Sequence, residues 1–318
     1  MNMQVIKDAI SNKKIIQELI SKYGTASEHN YYCYLYNIEG YEEPYIVLFE
    51  DGTGILAKYD KKGNYYRVFR EVLGPREKTG EMVKKFLDYI YSADKKPKKL
   101  WLELETDTRK NVIKYMKNSA YRVNEVNYTL IWPIFELDKW DGDKMLGGEW
   151  KDMRYYWKKF FSEHKVEFKD CKDVNKEEMK SMVRLWKKNR TGTDMAFIDY
   201  YIHAIDHDFS GYDVNRVMIV DGKVAAISAG FRFKQGYYAS IGLYNTDIDR
   251  CNEIANMDDL INLKKLGLPM VDFGGVEKGP LEFKKKFRPT QYYKTHIFSI
   301  VRKDVVKNKS LEKNAKTD

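Results

Sequence analysis

The sequence predicts an α/β (α+β) protein of two domains, each a mixed sheet flanked by helices. A chain of 318 residues, of which 43% are hydrophobic and 14% aromatic, is long enough to form two cores. Strand-like and helix-like segments follow one another in an order that recurs in the second half of the chain. The halves share this order without obvious sequence identity, which is typical of a tandem fold and not of a solenoid array.

The first half combines a helix, an antiparallel meander and further helices. Apolar residues at helical spacing predict an amphipathic helix over residues 4–22, which Gly24 would end. Aromatic and β-branched runs predict the next strands, and Asp51-Gly52 and Lys62-Gly63-Asn64 are typical of hairpin turns. The remaining predicted elements are strands 31–38, 45–50, 55–59 and 65–70, helix 80–93, strand 99–103, helix 107–118 and a long β run over 121–137.

A stretch rich in glycine and aspartate, residues 137–150, is the predicted domain boundary. The N-terminal domain would cover residues 1–140 and the C-terminal domain residues 141–303, before a lysine-rich tail, 304–318, that we expect to be flexible. The predicted elements after the boundary are helix 152–163, strand 165–170, helices 175–189 and 197–208, strand 215–220, hairpin 224–233 with 237–244, helix 252–266, strand 269–273, helix 280–286 and strand 291–301.

Charge and cysteine content narrow the class of protein. The formal net charge of +9 favours polyanionic partners such as tRNA, coenzyme A, nucleotide-linked precursors or an anionic membrane surface. Cys33, Cys171 and Cys251 are far apart and indicate neither a disulfide framework nor a zinc knuckle. Because the apolar runs are shorter than the ~20 residues that cross a bilayer, and no signal-peptide core begins the chain, we expect a cytoplasmic protein.

The strongest functional signal lies between Val271 and Lys294. Pro269 to Phe273 is typical of a buried strand, Gly274-Gly275 of a tight turn with positive φ, and Pro280 of a first helical turn. Backbone N–H groups, a helix dipole and Lys284 to Lys286 would then lie near the end of a strand, where they attract phosphate or carboxylate. The alternative is structural: a simple turn, followed by a helix with core phenylalanines and solvated lysines.

The order Asp-Phe-Gly-Gly, a short spacer and Leu-x-Phe-Lys-x-x-Phe, at residues 272–287, resembles the closing motif of the FemABX-type aminoacyltransferases. These belong to the GNAT acyltransferase superfamily, and their relatives include the catalytic domain of phosphatidylglycerol lysyltransferases. The resemblance implies two tandem GNAT-like (acyl-CoA N-acyltransferase) domains in one chain, with the active cleft on the C-terminal domain. It also implies transfer of an aminoacyl group from a charged tRNA to an amine or hydroxyl acceptor.

The same resemblance suggests catalytic roles. Lys284 matches the lysine that meets phosphate or the developing oxyanion, where an ammonium stabilises the tetrahedral intermediate of acyl transfer. Asp272 and Glu277 flank the turn, and either could orient the attacking amine or accept its proton; turn capping and surface charge are their alternatives. Tyr293 is a candidate proton donor, with simple packing as its alternative.

Two groups of residues are expected to bind substrate. The first surrounds the glycine turn and the basic helix and comprises Gly274, Gly275, Phe283, Lys285 and Arg288. The second, Lys151 and Arg154, lies on the helix that begins the second domain and is similar to a basic helix that the family has there. For this helix the alternative is an ordinary amphipathic helix with snorkelling lysines.

The loop before helix 252–266 bears on the donor. A GNAT that uses acetyl-CoA needs Arg/Gln-x-x-Gly-x-Gly/Ala at this place, because successive backbone N–H groups bind the pyrophosphate. Residues 245–256 contain no glycine and three acids, which favours an aminoacyl-tRNA donor without a bound cofactor. An acyl-CoA-dependent N-acyltransferase is the alternative, and a non-catalytic RNA- or membrane-surface-binding adaptor is a further one.

No metal site is predicted. His203 and His207 are one helical turn apart, but the sequence has no third ligand near them. The acyl group, the acceptor and the oligomeric state have no signature in the sequence.

Overall fold

The computed structural model describes residues 3–92, 96–189 and 198–304. The chain divides into two compact units: unit 1 consists of residues 1–131 and 293–318, and unit 2 of residues 132–292. The predicted boundary between residues 140 and 141 lies within unit 2. Of the predicted tail, residues 305–318 lie outside the described residues.

Strands and helices are interspersed along the described residues. The strands are β1 (Met3–Ile6), β2 (Glu42–Phe49), β3 (Gly54–Asp60), β4 (Tyr65–Val68), β5 (Leu100–Glu105), β6 (Tyr121–Val123), β7 (Tyr128–Glu136), β8 (Val166–Asp170), β9 (Val214–Val220), β10 (Lys223–Phe233), β11 (Gly236–Tyr244), β12 (Met270–Asp272) and β13 (Gln291–Arg302). The helices are α1 (Lys13–Tyr23), α2 (Tyr31–Tyr36), α3 (Thr79–Ser92), α4 (Thr106–Met116), α5 (Lys151–Glu163), α6 (Lys176–Lys188), α7 (Ile198–Asp206), α8 (Cys251–Lys265) and α9 (Lys278–Lys285).

The sheet of unit 1 starts with an antiparallel meander, as predicted. β1 to β4 pair in sequence, each antiparallel to the next, and β5 then pairs with β4 in parallel. β13 pairs antiparallel with both β5 and β6. Apolar side chains of α3 and of these strands form one buried cluster, because α3 repeats its apolar residues at helical spacing.

Two sequence predictions for unit 1 are wrong. The first segment, predicted as a helix from residue 4, begins as strand β1, because Val5 pairs with Val47 of β2. Asp8 Oδ1 then accepts the backbone N–H of Ser11 at 2.9 Å, and this turn separates the strand from α1. Residues 31–38 were predicted as a strand, but Tyr31–Tyr36 form helix α2, since Asn30 caps its first turn with its side-chain oxygen.

The other predicted elements that lie within the described residues are confirmed and begin and end within a few residues of their expected bounds. The long β run predicted over 121–137 is divided into β6 and β7. Phe197, the first residue of the predicted helix 197–208, lies outside the described residues. No helix in the described part of the chain is long and apolar enough to span a bilayer.

The sheet of unit 2 runs in the order β7, β12, β11, β10, β9, β8. β11 and β12 are parallel, and the other neighbouring strands are antiparallel. A buried aromatic cluster that includes Phe135, Trp140, Trp150, Phe273 and Phe287 packs beside β12. Trp140 Nε1 donates a hydrogen bond to the backbone oxygen of Phe287 at 2.8 Å, so this core holds the chain just after α9.

Candidate active site in unit 2

A cavity of about 380 Å³ lies in unit 2, and its lining comes from β9, β10, β11, α8 and α9 among other segments. This volume lies at the lower end of the range that small-molecule sites occupy, ~300–1,000 Å³. Apolar and aromatic side chains make up much of the lining, and four charged residues join them: Arg216, Asp258, Asp259 and Lys284. Such a combination is typical of a binding site with a few orienting polar groups.

Lys284 reaches the cavity wall from α9. Its Nζ donates hydrogen bonds to the backbone oxygen of Phe273 and, at 3.1 Å, to that of Gly274. An ammonium has three N–H donors, and among the described residues the third has no partner. Burial lowers the pKa of Lys284 to about 8, although the nearby Asp272 carboxylate opposes the change. The group is therefore mostly a cation at neutral pH and has one donor to offer a ligand.

The turn at Gly274-Gly275, which precedes α9, is determined by neighbouring residues. The buried carboxylate of Asp272 accepts the backbone N–H of Gly274 at 2.8 Å, and Gly274 has a φ of +77° that side chains disfavour. A Cβ on Gly275 would lie 2.4 Å from the indole of Trp132. The Asp-Phe-Gly-Gly order thus fits a left-handed turn packed against an aromatic ring, and this turn presents the two carbonyls that hold Lys284.

A second polar group lies on the sheet floor of the cavity. Ser228 of β10 is directly opposite Arg216 on β9 and directly opposite Gly242 on β11. Residues opposite each other on paired strands share a face of the sheet. A Cβ built on Gly242 meets no heavy atom within 4 Å, so this glycine leaves open space on the floor.

Helix α8 places two carboxylates against this floor. Arg216 donates to Asp258 Oδ2 at 2.7 Å, and its guanidinium lies over the ring of Phe168, 4.8 Å from the centroid. Ser228 Oγ donates to Asp259 Oδ1 at 2.9 Å. Burial raises the pKa of Asp259 to about 6 and also raises that of Asp258, where Arg216 counteracts the change.

Of the other predicted residues around the turn, Phe283 lines the cavity and packs against Phe287, with ring centroids 5.3 Å apart. Glu277 is exposed at the start of α9 and its side chain makes no capping hydrogen bond. Lys285 is exposed and forms an ion pair with Glu282 at 2.7 Å. The structure therefore brings Phe283 and Lys284 together at the cavity and points the neighbouring charges elsewhere.

The remaining predicted residues lie away from the cavity lining. Arg154 donates to the backbone oxygens of Met145 and, at 2.7 Å, Gly147, so it holds the loop before α5. Lys151 is exposed at the first position of α5. Arg288 has a φ of +57° and lies over the ring of Trp150, at 5.7 Å. Tyr293 is half-buried on β13 and belongs to unit 1.

Sequence reasoning missed the group formed by Arg216, Ser228, Gly242, Asp258 and Asp259. The available signal was the pair of adjacent acids in α8, between Met257 and Leu260, which are both buried. Asp259 is 8% exposed, and an acid on the buried side of a helix is uncommon unless it has a partner or a function.

The loop before α8 is filled by side-chain contacts. Asn189 Nδ2 donates to Thr246 Oγ1 and to Asp247 Oδ1, each at 2.9 Å. Arg250, with a φ of +62°, donates to Glu253 at 3.0 Å and lies over Tyr156. In the same loop, the backbone N–H of Asp247 donates to Asn245 Oδ1 at 2.9 Å and that of Cys251 to the backbone oxygen of Ile248 at 3.2 Å, so these two groups already have partners.

Comparison with known proteins supports the fold. No family model and no curated protein matches the sequence. Among solved structures, L-PGS from Bacillus licheniformis is similar, with a TM-score of 0.61 and 15% identity, covering 91% of this chain and 91% of that chain. A tandem GNAT protein from the clavulanic acid biosynthesis pathway has a TM-score of 0.56 and 9% identity, covering 94% of this chain and 98% of that chain. FemX has a TM-score of 0.53 and 11% identity, covering 92% of this chain and 97% of that chain. The chain therefore has the tandem GNAT fold of the FemABX type.

Proposed function

We propose that this protein is an acyltransferase that moves an aminoacyl group from aminoacyl-tRNA to an amine or hydroxyl acceptor, with the acyl group held in the unit 2 cavity. The observation that carries the proposal is Lys284: a partly buried cation at the cavity wall, held by two backbone carbonyls, whose third N–H donor meets no acceptor among the described residues. The similarity of the fold to that of L-PGS and FemX supports the same reaction class, by analogy.

In the proposed step, the acceptor nitrogen or oxygen attacks the ester carbonyl of the donor. The new bond forms as the carbonyl π pair moves to oxygen, and Lys284 donates its free N–H to that oxyanion. Collapse of the intermediate breaks the ester bond to the terminal ribose. The ribose oxygen leaves with that electron pair, and the proton lost by the acceptor balances it through solvent. No oxidant, reductant or metal is required.

The choice of donor rests on the loop before α8. Pyrophosphate binding in an acyl-CoA site needs free backbone N–H groups, whereas the N–H groups of Asp247 and Cys251 in this loop already donate to Asn245 and Ile248. Asp247 and Asp249 add negative charge, which repels a pyrophosphate. The chain's net charge of +9 is consistent with a polyanionic donor such as tRNA, and also with an acceptor at an anionic membrane surface.

The test is a transfer assay with purified protein, tRNA charged with radiolabelled amino acids, and a panel of amine, hydroxyl and lipid acceptors. Acyl-CoA donors are run in parallel. We expect a covalent product with aminoacyl-tRNA, and loss of this product in Lys284→Met but not in Lys223→Met, which removes an exposed lysine at the β9–β10 turn. Product from acyl-CoA alone would overturn the choice of donor. Salt-dependent RNA or lipid binding without any covalent product would overturn the enzymatic proposal.

A further inference from the structure

We propose that Glu253 is a positioning residue for Lys284: through an ion pair with Lys286 it fixes the end of helix α9, and thereby the place of the Lys284 ammonium at the cavity wall. Glu253 lies on α8 and is not part of the cavity lining. The inference rests on the proposed function only in taking Lys284 as the donor to the oxyanion. The role of Glu253 in holding α9 is tested without turnover.

Glu253 joins two cations that come from different segments of unit 2. Its Oε1 accepts a hydrogen bond from Lys286 Nζ at 2.9 Å and another from Arg250 Nη1 at 3.0 Å. The Glu253 side chain is 4% exposed, whereas those of Lys286 and Arg250 are 43% and 37% exposed. Burial raises the pKa of Glu253, but the contacts with its two cations outweigh burial and hold this pKa below its ordinary value. The carboxylate is therefore ionised at neutral pH and forms the buried centre of the group.

The α8 side of this group is well packed. Arg250 precedes the first residue of α8, and its guanidinium lies over the ring of Tyr156 on α5, 4.1 Å from the centroid. Ile254 and Met257 of α8 are fully buried. Glu253 thus belongs to a segment with a defined place in the core, and a cation that pairs with it is held in a defined place too.

Helix α9 is short and depends on contacts with the rest of the unit. It has 8 residues, and helices shorter than ~12–15 residues are marginal on their own. Leu281 within it and Phe287 just after it are buried. Lys286 is the residue at the C-terminal cap of α9, so its ion pair with Glu253 ties this end of the helix to α8.

The contacts of Lys284 depend on where this end of α9 lies. Its backbone oxygen accepts the N–H of Phe287 at 3.2 Å, and its Nζ donates to the carbonyls of Phe273 and Gly274. Hydrogen bonds of this kind span only ~2.7–3.2 Å, so a shift of the helix end by about 1 Å would break the longer of the two. The ion pair of Lys286 with Glu253 opposes such a shift.

The pKa of Lys284 reports the position of α9, because burial is what lowers it to about 8. Glu253→Leu removes the acceptor of Lys286 and keeps a side chain of similar size. We expect the released helix end to expose Lys284 and to raise its pKa towards the ordinary value of 10.5. A purely electrostatic effect has the opposite sign, since loss of a nearby negative charge lowers the pKa of an ammonium.

Three further variants assign the effect to the ion pair. Glu253→Gln removes the charge but keeps an oxygen that accepts from Lys286, so the pKa of Lys284 should not rise. Lys286→Met breaks the same pair from α9, and in this background Glu253→Leu should cause no additional rise. Asp206→Leu is the matched control, because it breaks an ion pair between α7 and α6, with Lys180 at 2.6 Å, and should leave the pKa of Lys284 unchanged.

The pKa is measured on the purified full chain by trace acetylation with acetic anhydride from neutral to alkaline pH, followed by mass spectrometry of the peptide that contains Lys284. Thermal unfolding of each variant confirms that it folds. In the transfer assay, Glu253→Leu should lower kcat by roughly tenfold or more and change KM less, since loss of an oxyanion donor costs ~10²–10³ in kcat. Glu253→Gln should keep most of the activity.

The proposal is overturned if the pKa of Lys284 in Glu253→Leu stays near that of the wild type or falls, or if Glu253→Gln raises it as much as Glu253→Leu does. Either result would reduce Glu253 to a residue that stabilises the fold. A failed transfer assay together with the expected rise in pKa would reject the proposed reaction and leave the positioning role standing. Transfer by the wild type without that rise in the variant would reject the positioning role alone.

Discussion

Both units bury ionisable side chains, but the units differ in how completely the protein supplies hydrogen-bond and ion-pair partners for them. In unit 1, Arg70 adopts a φ of +62° and forms ion pairs with Glu28, at 2.6 Å, and with Glu103. Thr295 Oγ1 donates to the same Glu103 at 2.7 Å. Glu71 accepts the backbone N–H of Glu105 and the hydroxyl of Thr108. In unit 2, Lys284 and Asp259 line a cavity, and within the described part of the chain Lys284 has one N–H donor, and Asp259 one carboxylate oxygen, without a hydrogen-bond partner.

The comparison separates two uses of buried charge. Burial raises the pKa of Glu71 to about 7, as it raises that of Asp259, so an altered pKa alone does not mark a functional site. In unit 1 the protein supplies the partners of the buried charges, which is how polar networks specify a fold. In unit 2 part of the bonding capacity is left for a ligand. Variants of these buried charged residues should therefore lose stability in unit 1 and lose function in unit 2.

The largest stability effect is expected for Arg70→Met. It leaves the Glu28 and Glu103 carboxylates without their cation, and loss of one partner of a buried pair costs about 3–5 kcal/mol in the free energy of unfolding. Arg76→Met is the matched control, since Arg76 pairs with Glu105 at the surface and such pairs contribute ~0–1 kcal/mol. Urea denaturation measures both. If the two variants lost the same free energy of unfolding, the buried ion pairs of Arg70 would not stabilise the fold more than a surface pair does.

The next effect is expected at the glycine turn of unit 2. Gly275→Ala places a Cβ 2.4 Å from the ring of Trp132, which is buried, and overpacking of this kind costs about 1–3 kcal/mol. Gly274→Ala has space, since its Cβ would come no closer than 3.6 Å to Tyr238, but it strains a residue with positive φ. Denaturation should show a loss for both. Adding Trp132→Leu should restore the stability lost in Gly275→Ala, because it removes the ring that the new Cβ meets. It should not restore the stability lost in Gly274→Ala, and restoration in both would contradict the assigned causes.

The sequence was informative where the chemistry is local. Gly274-Gly275, the strand before it and Lys284 lie within a short segment, so the turn and the direction of the lysine follow from neighbouring residues. The second polar group depends on pairs far apart in the chain: Arg216 and Asp258 are separated by 42 residues, and Ser228 and Asp259 by 31. Sequence periodicity contains no information on which strand faces which helix residue.

The two wrong secondary-structure predictions have different origins. Val5 and Ile6 fit a helical repeat and a strand equally well, and their pairing with Val47 and Ile46 of β2, far along the chain, decides the outcome. For α2 the deciding contact is local. Asn30 accepts the N–H of Tyr32 at 2.8 Å, and this cap outweighs the strand preference of the tyrosines that follow. Asn30 was a recognisable cap residue in the sequence, but the aromatic residues that follow it led to the prediction of a strand.

A smaller stability effect, with the opposite sign, is expected for Asp259→Asn. The folded protein raises the pKa of Asp259 from its usual 3.8 to about 6, so the folded state holds this proton more tightly than the unfolded state. The wild type should therefore lose stability as pH rises from about 4 to 6, by at most about 3 kcal/mol for a two-unit shift. The variant lacks this loss and should be the more stable protein at pH 7. Denaturation at pH 4, 5, 6 and 7 measures the difference, and a variant less stable than wild type at pH 7 would assign Asp259 a structural role.

The smallest effect concerns the pH dependence of transfer. Lys284, with a pKa of about 8, can donate to an oxyanion only while protonated, so the rate should be level below this pH and fall above it. A general base would give the opposite profile, with a rate that rises towards pH 8.

The Asp272 carboxylate raises the pKa of Lys284, although less than burial lowers it. Asp272→Asn keeps a side-chain oxygen for the N–H of Gly274 and removes the charge, so the fall in rate should move to lower pH. A profile that stays in place would mean that the titrating group is not Lys284.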